Sequence, residues 1–169
     1  MICPSCGHKN IPGDDFCENC NESLMSLDGI SSPKTEIGRS LMEDPIKKLS
    51  PKKPIAISEK ESLLNAVEKM KQSKIGCLLI TEGNFLKGIL SERDLLFKVL
   101  GKVTLSSPVS QVMTPDPESL RETDSIATAL NKMSLGGFRH IPILKEGRPS
   151  GIISIRDILQ YISHHLGTS

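Results

Sequence analysis

The chain has 169 residues, 37% of them hydrophobic and 24% charged, with a formal net charge of +1. That is the composition of a globular protein with room for one ordinary domain or two small ones, and its charge balance argues against a nucleic-acid or anionic-lipid partner. No apolar run approaches the roughly 18 residues of a membrane helix, and residues 1–30 lack the charged start and apolar stretch of a secretory signal, so a cytoplasmic location without membrane contact is expected. Aromatic residues make up 3% and Trp is absent, which leaves little material for base stacking.

Four of the five cysteines fall within the first 20 residues. Without an export signal such crowding reads as metal ligation rather than disulfides. Cys3-Pro4-Ser5-Cys6 and Cys17-Glu18-Asn19-Cys20 are two C-x-x-C knuckles, and together they supply the closed tetrahedral set of four sulfurs of a structural zinc site, with rubredoxin-like iron as the rival. Gly7 suits the tight turn after the first knuckle. Asn21 stands at the matching place in the second and tolerates positive φ. His8 is a poorer ligand while four thiols are present. Residues 1–24 have almost no core of their own, so the metal would supply their folding energy. The segment resembles the short zinc ribbons that begin many prokaryotic regulatory and membrane proteins. Many such ribbons touch nucleic acid, but here one cation, Lys9, faces Asp14, Asp15, Glu18 and Glu22. That is the wrong sign for phosphate, and a protein-docking or spacer role is expected.

Residues 25–40 carry Gly, Ser, Pro and Lys without periodicity and read as a linker. Residues 41–169 repeat internally without gaps. A shift of 63 positions, the separation of Gly88 from Gly151, lays Pro45 on Pro108, Pro54 on Pro117, Ser62 on Ser125, Ala66 on Ala129 and Met70 on Met133. The same shift lays Gly88-Ile89 on Gly151-Ile152, Ser91 on Ser154, and Arg93-Asp94 on Arg156-Asp157. The copies are set at 41–103 and 104–169.

Within each copy the periods are legible. Leu63, Ala66, Val67 and Met70 form a helical stripe that Ile126, Ala129, Leu130 and Met133 repeat. Ser58 with Glu61 reads as a capping box for the first of these helices. Cys77–Ile80, a turn at Glu82-Gly83-Asn84, and Phe85–Leu90 read as a hairpin. Ile141–Leu144, a turn at Glu146-Gly147, and Gly151–Ile155 repeat it. A second helix starts near Asp94 and near Asp157, with Leu95, Leu96 and Val99, then Ile158, Leu159 and Ile162, as its apolar positions. Each copy is β-α-β-β-α, so the fold class is mixed α/β (α+β). One copy alone buries too little surface, and two packed by pseudo-two-fold symmetry with a cleft between them solve that.

Both copies hold Gly-Ile-hydrophobic-Ser-x-Arg-Asp, at Gly88 to Asp94 and at Gly151 to Asp157. A strand ends and a helix begins there, where free N–H groups favour anions and a carboxylate can accept from a ribose diol. Ser-x-x-Asp is equally close to a plain capping box. The doubled motif resembles the close of a CBS domain, the cystathionine beta-synthase domain family. Arg139-His140-Ile141-Pro142-Ile143 and Val109 through Pro115 resemble two further stretches of that family. The resemblance covers about residues 41–166. It implies that Asp94 and Asp157 hold the ribose of AMP, ADP, ATP or a related adenosyl ligand, with Ser91 and Ser154 assisting. It also implies that Arg139 and His140 meet phosphate, and that backbone around Lys52–Ile55 and Thr114–Pro117 frames the adenine. The first copy has Gly76 and Cys77 where the second has Arg139 and His140, so the second site is the better nucleotide candidate, with Lys74 a substitute donor in the first.

Cys77, in mid-strand, reads as a buried inert thiol, and His164 and His165 as C-terminal or solvated residues of a helix. The chain has no P-loop, no nucleophile elbow and no paired catalytic carboxylates. The expectation is a non-enzymatic regulatory protein that binds an adenosyl ligand between two CBS repeats. By resemblance it is a homodimer, with a protein partner not specified by the sequence. The rival expectation is a zinc-ribbon adaptor that uses the CBS pair only as a dimerisation scaffold.

Overall fold

Two tight turns open the chain. In the first, Cys3 N donates to His8 O (2.8 Å) and Gly7 N to Cys3 O (2.9 Å). In the second, Cys17 N donates to Glu22 O (2.8 Å) and Asn21 N to Cys17 O (2.8 Å). Bridges Ile2–Lys9 and Phe16–Ser23 close the two loops. Gly7 lies at φ +73° and Asn21 at φ +57°, so the asparagine takes the left-handed conformation that the turn requires. The structure is a computed structural model that describes residues 2, 3, 5–11, 14–24, 35–99 and 103–166.

Residues 25–34 of the expected linker lie outside the described residues, and its last part is helical. Helix α1 spans Glu36–Glu43, with Thr35 as N-cap accepting from Gly38 N. After a 3₁₀ turn at Ile46–Leu49 come β1 (Ala56–Ser58), α2 (Leu63–Ser73), β2 (Cys77–Glu82) and β3 (Phe85–Ser91). Helix α3 begins at Glu92–Asp94 and continues as a π-helix over Leu95–Val99. The second copy follows: a 3₁₀ turn at Val109–Gln111, β4 (Thr114–Pro115), α4 (Ile126–Gly136), β5 (His140–Lys145), β6 (Arg148–Ser154) and α5 (Ile155–Leu166). Helices α2 and α4, and the hairpins β2–β3 and β5–β6, recur at the 63-residue shift read from the sequence. The fold is mixed α+β with two repeats. One expectation is corrected: α2 is capped by Ser62, which accepts from Asn65 N, and not by Ser58, whose carbonyl closes a turn onto Glu61 N instead.

The chain divides into two compact units, one of Met1–Pro51, Leu120–Ile141 and Ile153–Ser169, the other of Lys52–Ser119 and Pro142–Ile152. Each unit joins the lead-in of one copy to the helix of the other, through matching hydrogen bonds. In the first unit Ile46 N donates to Asp124 O (2.8 Å) and Ile126 N to Asp44 O (3.0 Å). In the second, the residues 63 positions away repeat this: Val109 N to Glu61 O (2.8 Å) and Leu63 N to Ser107 O (2.9 Å). The helix starts of α2 and α4 thus have their free N–H groups met by the opposite copy's lead-in.

In the second unit β1 pairs parallel with β2, and β2 and β4 flank β3 antiparallel. Strand β2 is buried on both faces: Leu78 and Ile80 pack with Leu63, Ala66 and Met70 of α2, while Cys77 and Leu79 pack with Ile89 and Ile152. The motif glycine has a steric cause. A Cβ on Gly88 would stand 2.6 Å from Met113 Sδ and 3.0 Å from Thr114 O, because β4 runs directly against β3 at Gly88–Pro115. Gly88→Ala should therefore push β4 outward and destabilise the fold by about 1–3 kcal/mol, the usual cost of overpacking, measured by urea denaturation. In the first unit Tyr161 of α5 donates its hydroxyl to Asp44 at the end of α1 (2.5 Å), and Lys48 pairs with the other oxygen of Asp44 (2.8 Å). The Asp44 carboxyl is held below the usual carboxylate range by Lys48 and Tyr161.

Candidate functional sites

The four knuckle cysteines converge. Their sulfurs all lie within 4.8 Å of one another, with Cys3–Cys20 and Cys6–Cys17 at 3.5 Å. A metal at about 2.3 Å from each sulfur of a tetrahedral set spaces the sulfurs by about 3.8 Å, so the donor set fits a metal of this kind. Asn10, nearly fully buried, ties the knuckles together: its amide nitrogen donates to His8 O (3.1 Å) and its oxygen accepts from Glu18 N (3.0 Å). Burial opposes ionisation of Cys17, but the Cys20 and Asn19 amides outweigh it and lower its pKa to about 6. Burial pushes Cys20 up to about 12. Once one sulfur is ionised the cluster resists a second and third negative charge, and a cation supplies the compensation. His8 lies beside Glu18 (4.0 Å) rather than with the sulfurs.

The serine–aspartate motifs stand where β3 and β6 run into helices. In the first copy Ser91 N (2.9 Å) and Ser91 Oγ (2.5 Å) both donate to Asp94 Oδ2, and Asp94 N donates back to Ser91 Oγ (3.3 Å). In the second, Ser154 N and Ser154 Oγ each donate to Asp157 Oδ2 at 2.7 Å. Ser91 therefore caps its helix, and in both copies the serine fixes the orientation of its aspartate. The residue after each serine reaches back to the start of the hairpin. Ile155 N donates to Arg139 O and Glu92 N to Gly76 O, each at 3.0 Å. Arg139 is thereby held at the mouth of α5, with half-buried His140 next to it at the start of β5. The corresponding place in the first copy offers Gly76 and buried Cys77. Burial, with Glu92 adding, pushes the Cys77 thiol up to about 12, which leaves it neutral and inert.

The outer oxygen of Asp94 has partners that the sequence reading missed. Lys98 Nζ lies 2.6 Å from Asp94 Oδ1, and Thr114 Oγ1 donates to the same oxygen (3.2 Å). Lys98 also donates to Val112 O (3.0 Å) and Thr114 Oγ1 (3.2 Å). Burial works against ionisation of Asp94, but Lys98 and Ser91 overcome it and keep its pKa below the ordinary carboxylate value. The i,i+4 spacing on one helix was the available signal for Lys98. Lys74, the substitute donor considered from sequence, is the left-handed C-cap of α2.

The family model of the CBS domain matches residues 46–101 and 109–164. The chain belongs to the CBS-domain family. It is 32% identical over 119 residues to an uncharacterised 17.7 kDa protein of Acidianus ambivalens, covering 69% of this chain and 72% of that one. It is 33% identical over 159 residues to the CBS domain-containing protein CBSCBSPB5 of Arabidopsis thaliana, covering 90% of this chain and 29% of that longer protein. Among solved structures, a CBS domain protein from Pyrobaculum aerophilum complexed with AMP superposes with a TM-score of 0.65 at 23% identity, covering 74% of this chain and 99% of that one. This last likeness is one of fold. The two matched CBS segments coincide with the doubled elements, each closing on a helix that opens at its Ser-x-x-Asp motif. No helix among the described residues is long and apolar enough to cross a membrane.

Proposed function

We propose that this CBS pair is a non-catalytic sensor of an adenosyl nucleotide, with the second copy as the receiving half-site and the N-terminal ribbon as a zinc-stabilised docking module. The observation that carries the reading is the geometry at the start of α5. A carboxylate is fixed by two hydrogen bonds from Ser154, and Arg139 is held at the same helix mouth by its bond to Ile155. A ribose diol donates to a carboxylate, and phosphate oxygens accept from guanidinium and imidazole groups, so Asp157 with Ser154 takes the sugar, and Arg139 with His140 the phosphate. The AMP bound by the Pyrobaculum protein supports the ligand class. Cys3, Cys6, Cys17 and Cys20 hold the zinc, which supplies folding energy rather than reactivity. As in CBS pairs generally, the working form is a homodimer in the cytoplasm.

A thermal-shift series with AMP, ADP, ATP and S-adenosylmethionine tests the reading. A ligand that binds only the folded state stabilises it by mass action, by about 2.7 kcal/mol at a concentration of 100 Kd, so the melting temperature should rise by several degrees with at least one of the four. A flat response to all four would favour the scaffold-and-adaptor role instead.

A further inference from the structure

We propose that Asn10 is a positioning residue of the four-cysteine centre, holding the loop of the second knuckle so that its amides are aimed at the Cys17 sulfur. The inference rests on the reading that these sulfurs hold a metal. The ribbon is itself a repeat. A shift of 14 positions, the separation of Cys3 from Cys17, lays Cys6 on Cys20 and Gly7 on Asn21. The backbone bonds repeat with it. Cys3 N to His8 O and Gly7 N to Cys3 O match Cys17 N to Glu22 O and Asn21 N to Cys17 O. The amides of Ser5 and Cys6 hydrogen-bond the Cys3 sulfur, and those of Asn19 and Cys20 the Cys17 sulfur.

Two differences between the halves fit each other. Pro4 opens the first loop where Glu18 opens the second. Proline has no N–H, so only the second loop has an amide left over after two have gone to sulfur. Asn10 Oδ1 accepts from that amide at 3.0 Å. At the place matching Asn10 stands Leu24, fully buried, with no polar atom in its side chain. Asn10 is 4% exposed, and a buried amide is costly unless its oxygen and nitrogen are both bonded. Its nitrogen donates to His8 O at 3.1 Å, the carbonyl on which Cys3 N also closes the first loop. The same side chain hydrogen-bonds the Cys17 sulfur. One residue thus joins the closing bond of the first knuckle, the loop of the second and a ligand atom. Partners of this kind fix the orientation of metal ligands.

The test is titration of the metal-free full chain with cobalt(II), and with zinc against a chromophoric chelator. Asn10→Leu keeps the branching of the side chain and removes its oxygen and nitrogen. It should weaken metal binding about 10–100-fold. At saturation it should keep the spectrum of cobalt on sulfur but move the sulfur-to-cobalt charge-transfer band to longer wavelength, because a sulfur that loses a hydrogen bond gives up electron density more readily. Adding Glu18→Pro gives the second knuckle the chemistry of the first and removes the stranded amide. The double variant should therefore bind metal about fivefold or more tightly than Asn10→Leu alone. Asn10→Ala carries the same expectation for affinity and band should the leucine not fit. The proposal is overturned if both single variants bind as tightly as wild type, or if Glu18→Pro recovers nothing. It is overturned equally if affinity falls while the band stays in place, which is what a merely structural role would give. The metal reading is judged separately, on wild type alone: a wild-type chain that takes up neither cobalt nor zinc would sink the four-sulfur site, and the role of Asn10 with it.

Discussion

Removing the metal should unfold residues 2–24 and leave both repeats folded. The buried core of the ribbon consists of Cys3, Cys17 and Leu24, so three of the residues that pack against one another there, counting the half-buried Cys6, are themselves ligands. Its order otherwise depends on a few backbone bonds and the Asn10 clamp. A structural zinc contributes about 10–16 kcal/mol of apparent binding free energy near neutral pH, far more than so small a segment can obtain from burial. Without it, four thiols, two of them fully or almost fully buried, lose the charge that balances their ionisation. The repeats draw on separate apolar clusters, with Leu63, Leu78, Ile80 and Leu90 fully buried. A strong chelator at neutral pH should therefore abolish amide protection in the ribbon while the main thermal transition moves little. Amide hydrogen exchange checks both halves of this expectation. Elemental analysis before chelation should give about one equivalent of zinc per chain. Retained protection in residues 2–24 after complete metal removal would show that the sulfur cluster is not what folds the ribbon.

The repeat and its elements were legible because apolar period and turn chemistry agree in both copies. Gly83, Glu146 and Gly147 turn the hairpins at positive φ, and Met70 and Met133 end the same buried stripe. Helix α1 was missed for a physical reason: it is two turns long with Gly38 and Ser40 inside it, so its apolar face amounts to Ile37 and Leu41, a single i,i+4 step, and it buries no residue fully. Its stop is fastened by Asp44 instead, through a tyrosine 117 positions away. The hydrogen bonds by which each copy's lead-in meets the other's helix are equally silent in sequence, since pairing between residues this far apart in the chain has no local period. Leu96 and Leu159 were read as apolar positions on the second helices and indeed repeat, but they are 60% and 55% exposed. Only Ile158 of α5 is buried.

The candidate sites divide in the same way. Ligand spacing gave the sulfur cluster, because two C-x-x-C turns at that separation have few other ways to close. The Ser-x-x-Asp box gave both capping and a fixed carboxylate: the first copy has the full box, and in both copies the serine holds the aspartate. The partners of the outer oxygen of Asp94 lay outside the motif, in Lys98 one helical turn on and in Thr114 from the other copy's lead-in.

Asp157→Ala should remove most AMP binding and lower stability only modestly. The Asp157 carboxylate is held by Ser154 N and Oγ at 2.7 Å each, so it reaches a ligand already oriented and loses little freedom on binding. Hydrogen bonds to a charged group contribute about 1.5–3 kcal/mol each, and about 1.4 kcal/mol is tenfold in affinity. Losing the two that a ribose diol makes should therefore weaken AMP at least a hundredfold by calorimetry. The same substitution strips the cap, at about 0.5–2 kcal/mol, so folding must be followed in parallel by thermal denaturation. Asp157→Asn separates the two effects: its amide oxygen can still accept from Ser154, and stability should recover in part while affinity stays low. Arg139→Ala should weaken AMP about tenfold or more and leave adenosine unchanged, because the guanidinium meets only phosphate. Asp94→Ala should leave the tight event in place, since that carboxylate already belongs to Lys98 and Thr114. Tight AMP binding that survives Asp157→Ala and disappears with Asp94→Ala would put the nucleotide in the first copy and reverse the assignment of the two halves.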